Sequence, residues 1–324
     1  MMRFFAACLV GGALAIPAFA QQSGDGLKLL ERIATAAQQL NYTGVFVYQS
    51  GNRTETSRIT HLDNGGNEFE RLEALDGSPR EVVRQNDEVR CYLPEKHLVI
   101  VERRSNQRSF PSLLPGCLAG LTEHYTIRRG PNGRVAGINS ESIRVEPKDE
   151  FRYGHQLWFD PKTGLLLKAV MLNRKGEPIE TFAFTEIKIG GSDLGVPHTP
   201  DIKGGSWRMH IVRSSEVKRD DGQWQFPDTL PGFRRQPGIK RQLHAGGPEG
   251  MHVIFSDGLA AVSVFIDPVP NKVSNAATNT GTPFAIGAIN VVKRYVGGYR
   301  LVVMGDVPAV ALREFAEGIE PRSK

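Results

Sequence analysis

The sequence predicts an α+β protein of two domains, built mainly from antiparallel strands with few helices. Short alternating apolar runs fill most of the first two thirds of the chain, and tight turns such as Asp76-Gly77 separate them. This pattern is typical of an antiparallel meander and not of parallel βαβ units. A chain of 324 residues is also long enough for two domains that each bury a core. A stretch rich in Gly, Pro and polar residues, 191–206, is predicted to link them.

Residues 1–20 have the composition of a secretory signal peptide. A basic start, Met1-Met2-Arg3, precedes an apolar run, and Ala18-Phe19-Ala20 forms an A-x-A cleavage pattern. The apolar run is shorter than the ~20 residues of a membrane span. We therefore expect export to the periplasm with cleavage after Ala20, while Cys8 leaves lipid attachment open as a weaker alternative.

Residues 21–190 are predicted to form the first domain. Residues 26–40 have apolar side chains at helical spacing, and Asp25 is placed to cap that helix. An apolar insert, 110–121, interrupts the strands that follow. His155 shares the alternating apolar face of one strand, which favours a buried structural histidine. The predicted strands are 42–49, 54–62, 67–75, 80–85, 88–93, 97–103, 142–146, 151–159, 165–173 and 179–189.

Residues 207–324 are predicted to form a smaller α/β domain. Its central element is the hairpin 252–268, in which two apolar runs flank Asp257-Gly258, the usual signal for a tight turn. A second hairpin joins 290–295 to 299–304. A helix at 307–319, with Asp306 as its cap, ends the domain.

No catalytic motif is found along the chain. G-x-S-x-G, H-E-x-x-H, Walker and G-x-G-x-x-G patterns are all missing, and the eight histidines show no metal-ligand spacing. We therefore expect no enzyme activity, no catalytic residue, no metal and no cofactor. Lys and Arg number 40 against 35 Asp and Glu, but export argues against nucleic acid as the partner of this mildly basic chain.

Two cysteines, Cys91 and Cys117, remain once the signal peptide is removed. An oxidising compartment favours a disulfide between them. Such a bond would stabilise the fold by ~3 kcal/mol on the chain-entropy account. The alternative is two separate buried thiols.

Pairs of basic residues recur, and four of them are candidate partner-binding residues: Arg234, Arg235, Lys240 and Arg241. Arginine forks match carboxylate and phosphate groups, so acidic peptides or phosphorylated headgroups are the natural targets. The alternative is that each pair is a solvated loop end.

A meander that is apolar on one side has more apolar surface than one long helix and one short insert can cover. Such a sheet curls around the helices or leaves an apolar cleft. The alternative for each side chain is a place in the core. The candidate lining residues are Phe46, Tyr48, Leu98, Ile100, Leu113, Leu114 and Trp158.

Six motifs in order carry a resemblance to a known family. They are Leu40-Asn41-Tyr42; Leu75-Asp76-Gly77 with Pro79-Arg80-Glu81-Val82-Val83; Trp158-Phe159-Asp160 with Thr163-Gly164-Leu165; Leu230-Pro231-Gly232-Phe233; Ser256-Asp257-Gly258-Leu259 with Ser263-Val264-Phe265; and Gly305-Asp306-Val307-Pro308. On these motifs the chain resembles the RseB/MucB family of periplasmic regulators of the envelope-stress sigma factor, over essentially its whole mature length.

The resemblance implies a first domain like the lipoprotein carriers LolA and LolB, a curved antiparallel half-barrel wrapped over helices, followed by a smaller α/β domain. It implies binding to the periplasmic segment of a single-span anti-sigma factor of the RseA/MucA type, shielding of that segment from proteolysis, and release by lipopolysaccharide or another acylated ligand. The alternative function is a periplasmic lipid or lipoprotein carrier. A homo-oligomer is left open.

Overall fold

The computed structural model describes residues 18–103, 110–115, 118, 120–191, 206–212, 214–217, 223–242, 249–269 and 279–322. These residues form a sheet of 12 strands, a sheet of 9 strands and a pair of short strands, with few helices. Both large sheets are open and have two free ends. The predicted predominance of antiparallel sheet is confirmed, whereas the half-barrel shape stays a prediction.

The first sheet follows helix α1 (Ala18–Gln39) and consists of two local meanders. Its strands are β1 (Tyr42–Ser50), β2 (Arg53–Asn64), β3 (Asn67–Ala74), β4 (Glu81–Gln85), β5 (Glu88–Leu93), β6 (Leu98–Arg103), β7 (Tyr125–Val135), β8 (Ile138–Pro147), β9 (Gly154–Phe159), β10 (Leu166–Leu172), β11 (Pro178–Ile189) and β12 (Arg208–Val212). They lie in the order β12-β6-β5-β4-β3-β2-β1-β11-β10-β9-β8-β7. Antiparallel pairing of β1 with β11 joins the meanders β1–β6 and β7–β11. A one-turn helix, α2 (Leu121–His124), precedes β7.

The second sheet lies in the order β13-β16-β17-β18-β22-β21-β19, with β15 pairing to β17 and β20 to β21. Hairpins β17–β18 and β21–β22 are antiparallel, as the sequence predicts. Strands β14 and β23 form the separate pair. The elements are β13 (Ser214–Val217), β14 (Trp224–Gln225), β15 (Arg234–Arg235), β16 (Gly238–Gln242), β17 (Glu249–Ser256), β18 (Ala261–Pro268), β19 (Asn279–Thr280), β20 (Phe284–Ile286), β21 (Ile289–Val296), β22 (Tyr299–Gly305), α3 (Ala309–Glu317) and β23 (Glu320–Pro321).

Each large sheet buries one face against a helix. In the first core, Leu30 and Ile33 of α1 pack with buried strand residues such as Ile143 and Leu157. We call the face of the first sheet that carries this core its inner face. In the second core, Leu312 and Phe315 of α3 pack against the sheet; the strand residues buried there include Val253, Val264 and Val303. Burying an aliphatic or aromatic side chain of this size contributes ~1.5–3 kcal/mol, so these two faces hold the fold together.

Strand β7 is missing from the sequence prediction, which resumed the strands only at residue 142. Its sequence contains Gly130-Pro131-Asn132-Gly133, a composition typical of a turn. The pairing of β7 with β8 shifts register between Gly130 and Gly133, so the strand bulges at this segment and continues beyond it.

Both predicted helix caps are wrong. Helix α1 begins at Ala18, so Asp25 lies inside the helix and not at its start. Helix α3 begins after Pro308, which forms no side-chain cap hydrogen bond. Asp306 Oδ1 instead accepts a hydrogen bond from the backbone N–H of Ala261, at 2.6 Å. An aspartate that precedes a helical pattern can therefore bind another part of the chain instead of capping the helix, as Asp306 does here.

Strand β12 lies at one edge of the first sheet, where it runs parallel to β6. The sequence pattern assigned every residue from 207 onward to the second domain, and this pairing corrects that assignment for residues 208–212. Alternation identified a strand here, but a local pattern does not identify the strand's partner. Met209 and Ile211 on this edge are each 59% exposed. Residues 192–205 of the predicted linker lie outside the described residues.

Candidate functional site

An aromatic cluster covers the centre of the inner face. Phe110 of the insert stacks on Phe182, with ring centroids 5.4 Å apart, and lies 5.1 Å from Phe46. The Tyr48 ring lies 4.8 Å from that of Phe182, and its hydroxyl donates to Glu180 Oε2 at 3.2 Å. Burial raises the pKa of the Glu180 carboxyl, which the Tyr48 hydrogen bond partly offsets. Two predicted lining residues, Phe46 and Tyr48, therefore belong to one aromatic surface.

The outer strands of the first meander carry half-buried apolar side chains on the same inner face. Ile100 is opposite Cys91, and Leu98 is opposite Leu93. Helix α1 packs mainly against β7, at the opposite edge of the sheet, and also contacts β2 and β10. Leu98 and Ile100 are thus partly accessible apolar residues of the kind that a cleft requires.

The insert brings two more candidates to the first core. Leu114 is buried and Leu113 is half-buried against the core that contains Phe110. The structure therefore brings Leu113 and Leu114 to the same side of the sheet as Phe46 and Tyr48.

Trp158 does not belong to this surface, and its prediction as a lining residue is wrong. It is opposite Ser142 and Lys168 on the neighbouring strands, and the Lys168 Nζ lies 4.8 Å from the centroid of its ring. Its neighbours Leu157 and Phe159 are buried in the first core. Side chains alternate along a strand, so Trp158 lies on the opposite face.

Cys91 carries a free thiol, so the predicted disulfide is not formed in this structure. Cys117 lies outside the described residues. Burial raises the pKa of the Cys91 thiol, an effect that the charge of Arg80 partly offsets. The prediction rested on compartment and cysteine count, neither of which fixes the distance between two side chains.

Three of the candidate basic residues, Arg234, Arg235 and Lys240, have different surroundings. Arg234 is exposed and is opposite Ser256, whereas Arg235 and Lys240 are opposite the buried residues Phe255 and Met251. The Arg235 guanidinium lies 4.9 Å from the centroid of the Phe226 ring, which packs on the second core. Arg241 of β16 is opposite Gly250 of β17. Arg235 therefore has a packing role that Arg234 does not share.

The two sheets meet at a fully buried arginine that sequence reasoning missed. Arg152 lies in the turn between β8 and β9 and is 0% exposed. Its Nη1 lies 3.2 Å from Asp257 Oδ2, and its Nε lies 3.2 Å from Asp149 Oδ1. Neither nitrogen has hydrogen-bond alignment, so both contacts are ionic. Nη2 donates to the carbonyl oxygen of Pro231, in the segment that leads to β15.

Two aromatic rings, one from each side of the meeting point, lie against this guanidinium. Its Cζ is 5.5 Å from the centroid of Tyr125 and 5.2 Å from that of Phe233. Cation–π contacts of this kind are worth more once water is excluded. We call Arg152, Asp257, Tyr125 and Phe233 the clasp.

Asp257 lies in the β17–β18 turn and is the acceptor at the centre of the clasp. Its Oδ1 accepts from the backbone N–H groups of Leu259 and Ala260, at 2.9 and 2.8 Å. Its Oδ2 accepts from the Tyr125 hydroxyl at 2.9 Å. Burial raises the pKa of that hydroxyl, which stays protonated and donates. The turn identified from Asp257-Gly258 therefore also binds the first sheet.

Near the clasp, each sheet contributes an apolar side chain to the core of the other sheet. Leu259, from the β17–β18 turn, packs against the first core, and Phe151 packs against the second. Gly232 has φ +79°, and a Cβ there would lie 2.1 Å from Nε2 of His124. Backbone from one sheet thus approaches the other so closely that only glycine fits at this position.

Further polar groups border the clasp. Asn290 Nδ2 donates to the Tyr153 hydroxyl at 3.1 Å and to the carbonyl oxygen of Val307 at 2.8 Å. Burial raises the pKa of Asp306 to about 7, assisted by the charges of Asp257 and Glu180. Removal from bulk water lowers the pKa of His155 to about 4, against the charge of Asp257.

A groove of about 870 Å³ lies between the β1–β2 turn, the start of β11 and the β20–β21 turn. Asn52 and Thr54 line one side, and Ala285 and Gly287 line the other.

Among the described residues, no cluster of three or more His, Cys, Asp or Glu side chains could hold a metal ion. Within the same residues, no helix has the length and apolar character needed to cross a membrane.

Comparisons with known proteins give a single family. The profile of the MucB/RseB N-terminal domain matches residues 25–209, and that of the MucB/RseB C-terminal domain matches residues 218–320. The sigma factor AlgU regulatory protein MucB of Pseudomonas aeruginosa is 30% identical over 325 residues, which cover 97% of this chain and 96% of that protein.

Solved structures of MucB are similar over both sheets. The complex of Pseudomonas aeruginosa MucA and MucB matches with a TM-score of 0.70 and 28% identity, covering 93% of this chain and 100% of MucB. A crystal structure of MucB alone matches with a TM-score of 0.64 and 27% identity, covering 93% of this chain and 99% of that one.

Proposed function

The chain belongs to the MucB/RseB family, and from this premise we propose that it binds the periplasmic segment of a single-span anti-sigma factor and so restrains an envelope-stress sigma factor. The observation that carries the proposal is the match along nearly the whole chain to MucB in complex with MucA. The relatives bear the names of regulatory proteins, which supports a binding role without catalysis. This function places the protein in the periplasm, after cleavage of residues 1–20.

We further propose that binding shields the anti-sigma segment from proteolysis and that an acylated ligand such as lipopolysaccharide relieves it. The half-buried apolar side chains on the inner face, including Leu98 and Ile100, supply a surface for acyl chains. A ligand that prefers the partner-free form by ~2–3 kcal/mol lowers partner affinity by roughly 30- to 150-fold. Two sheets, the first ending with β12 and the second beginning with β13, fit a ligand and a partner that bind at different places.

The test is a titration of the mature protein with the purified periplasmic segment of the anti-sigma protein from the same organism. We expect saturable binding, protection of the segment in limited proteolysis, and weaker binding when lipopolysaccharide is added. Absence of binding by calorimetry at micromolar concentrations would count against the regulator.

The alternative, a lipid or lipoprotein carrier, is favoured only by the apolar inner face. A chain truncated after residue 217 keeps β12 and separates the two functions. A carrier would retain lipid transfer between vesicles, whereas the regulator is expected to lose its partner.

Replacing Arg234 by glutamate is expected to weaken binding of the anti-sigma segment about 10-fold, because charge reversal at an exposed site repels an acidic partner. The melting temperature is expected to stay within about 1 °C of wild type. Arg235→Glu is the matched comparison, since it also removes the contact with Phe226 and is expected to lower stability. Unchanged affinity in Arg234→Glu would remove this residue from the partner surface.

Replacing Ile100 by glutamate is expected to reduce lipid binding about 10-fold or more, because an acyl chain would then have to lie against a charge. The measurement is displacement of a fluorescent fatty acid, with Lys168→Glu on the opposite face as control. Equal lipid affinity in wild type and Ile100→Glu would contradict a ligand site on the inner face.

A further inference from the structure

The clasp is the polar contact that links the β8–β9 turn to the β17–β18 turn. We propose that the clasp holds the two sheets in the arrangement that binds the partner, and that opening it lowers partner affinity. This inference rests on the proposed function, of which it is the regulatory element.

The chemistry of the clasp suits a contact that opens. A buried ion pair adds little net stability relative to apolar residues of the same size, because desolvation offsets the attraction between the charges. Arg152 and Asp257 are 0% and 1% exposed, and both regain hydration when the sheets separate. An ionic contact therefore separates at lower cost than an apolar contact of equal area.

The same contact fixes one relative orientation. Arg152 contacts Asp257, the Pro231 carbonyl oxygen and the Phe233 ring, all of which belong to the second sheet or the segment leading to it. A rotation that keeps one of these contacts breaks another. The close approach of Gly232 to His124 leaves little space for an alternative packing. The clasp therefore favours a single closed arrangement over a range of them.

A fixed arrangement raises affinity for a partner that contacts both sheets. When only a fraction of molecules is competent to bind, the apparent dissociation constant rises in inverse proportion to that fraction. The match to MucB in complex with MucA covers 93% of this chain, so it includes residues of both sheets.

The experiment measures arrangement and affinity on the same protein. Spin labels on cysteines introduced at Leu75 and Val310, which are 39% and 79% exposed, report the distance between the sheets. Cys91 and Cys117 are replaced by serine in this background. Affinity is measured by titration with the purified periplasmic segment of the organism's anti-sigma protein. The variants are Arg152→Met, the milder Tyr125→Phe, and the control Arg58→Met, which removes an exposed ion pair with Glu73.

We expect one narrow distance distribution for wild type and control. Arg152→Met is expected to broaden it and to weaken partner binding about 10-fold or more. Tyr125→Phe, which loses only the hydrogen bond to Asp257, is expected to change both readouts in the same direction by a smaller amount.

Two results would overturn the proposed role of the clasp. One is a broadened distance distribution with partner affinity within about twofold of wild type, and the other is an unchanged distance distribution in both variants. If Arg152→Met does not fold, as judged by circular dichroism, Tyr125→Phe decides by the same criteria. A wild-type protein that fails to bind the segment overturns the proposed function itself. Binding that is insensitive to both variants overturns only the clasp.

Discussion

Replacing Arg152 by methionine is expected to lower the free energy of unfolding by about 3–5 kcal/mol. The methionine side chain fills part of the space but leaves the Asp257 carboxylate buried beside the first sheet without its counter-charge. Asp257 keeps its two backbone donors and the Tyr125 hydroxyl, so the lower end of this range is expected. The measurement is urea unfolding of the mature protein at pH 7, followed by tryptophan fluorescence.

A double-mutant cycle separates the ion pair from the loss of packing. Asp257→Asn keeps the side-chain oxygen and leaves the buried Arg152 with Asp149 as its remaining counter-charge, so it too is expected to destabilise. The double variant should lose less free energy of unfolding than the two single variants lose together. Arg58→Met, which removes an exposed pair, is expected to cost at most about 1 kcal/mol. Additive losses in the cycle would mean that the two charges act independently.

Replacing Asp306 by asparagine is expected to make stability rise with pH between about pH 4 and 6.5, where the wild-type stability changes little. The pKa of Asp306 is raised from 3.8 to about 7 in the folded protein. Between these values the folded chain holds a proton that the unfolded chain has released, so stability falls as pH rises. A shift of this size corresponds to on the order of 4 kcal/mol. Asparagine does not ionise, so this loss disappears in the variant.

His155 makes the stability of the fold depend on pH in the opposite direction. Its pKa is lowered from 6.5 to about 4, so the unfolded chain binds the extra proton and stability falls as pH falls through this window. The two slopes offset each other in the wild type between about pH 4 and 6.5. Asp306→Asn should therefore become steadily less stable on acidification, as measured by urea unfolding at pH 4.5, 5.5, 6.5 and 7.5. Parallel curves for wild type and variant would show that Asp306 is ionised throughout.

Local patterns predicted most strands of both sheets, because alternation and turn residues act within a few positions. Strand β7 was missed since Gly130-Pro131-Asn132-Gly133 has turn composition although it lies within a bulged strand. The hairpin at Asp257-Gly258 was predicted correctly, because its turn residues are adjacent in the sequence. Its contact with Arg152, a residue 105 positions earlier in the chain, depends on how two sheets meet, which no local pattern encodes.

The candidate cleft shows the same limit at the level of single residues. Phe46, Tyr48, Leu98 and Ile100 were named as candidate lining residues, and the strand register puts all four on one face of the sheet. Their role in a cleft stays a prediction. Trp158 was named with them, but its position in the strand alternation places it on the opposite face. Arg152 lies just before β9, where the strand alternation used to predict exposure does not yet apply.

The pairing of β1 with β11 has a consequence for how the chain is made. Tyr42 is opposite Ile189 in this seam, so its two strands lie about as far apart in sequence as the first sheet allows. A chain that emerges amino terminus first can complete the meander β1–β6 early, but the free edge of β1 stays unpaired until β11 has emerged. Non-local pairings of this kind form slowly, and an unpaired edge strand invites association with other chains. The seam thus sets the interval during which the newly made chain carries an unpaired strand edge that other chains could join.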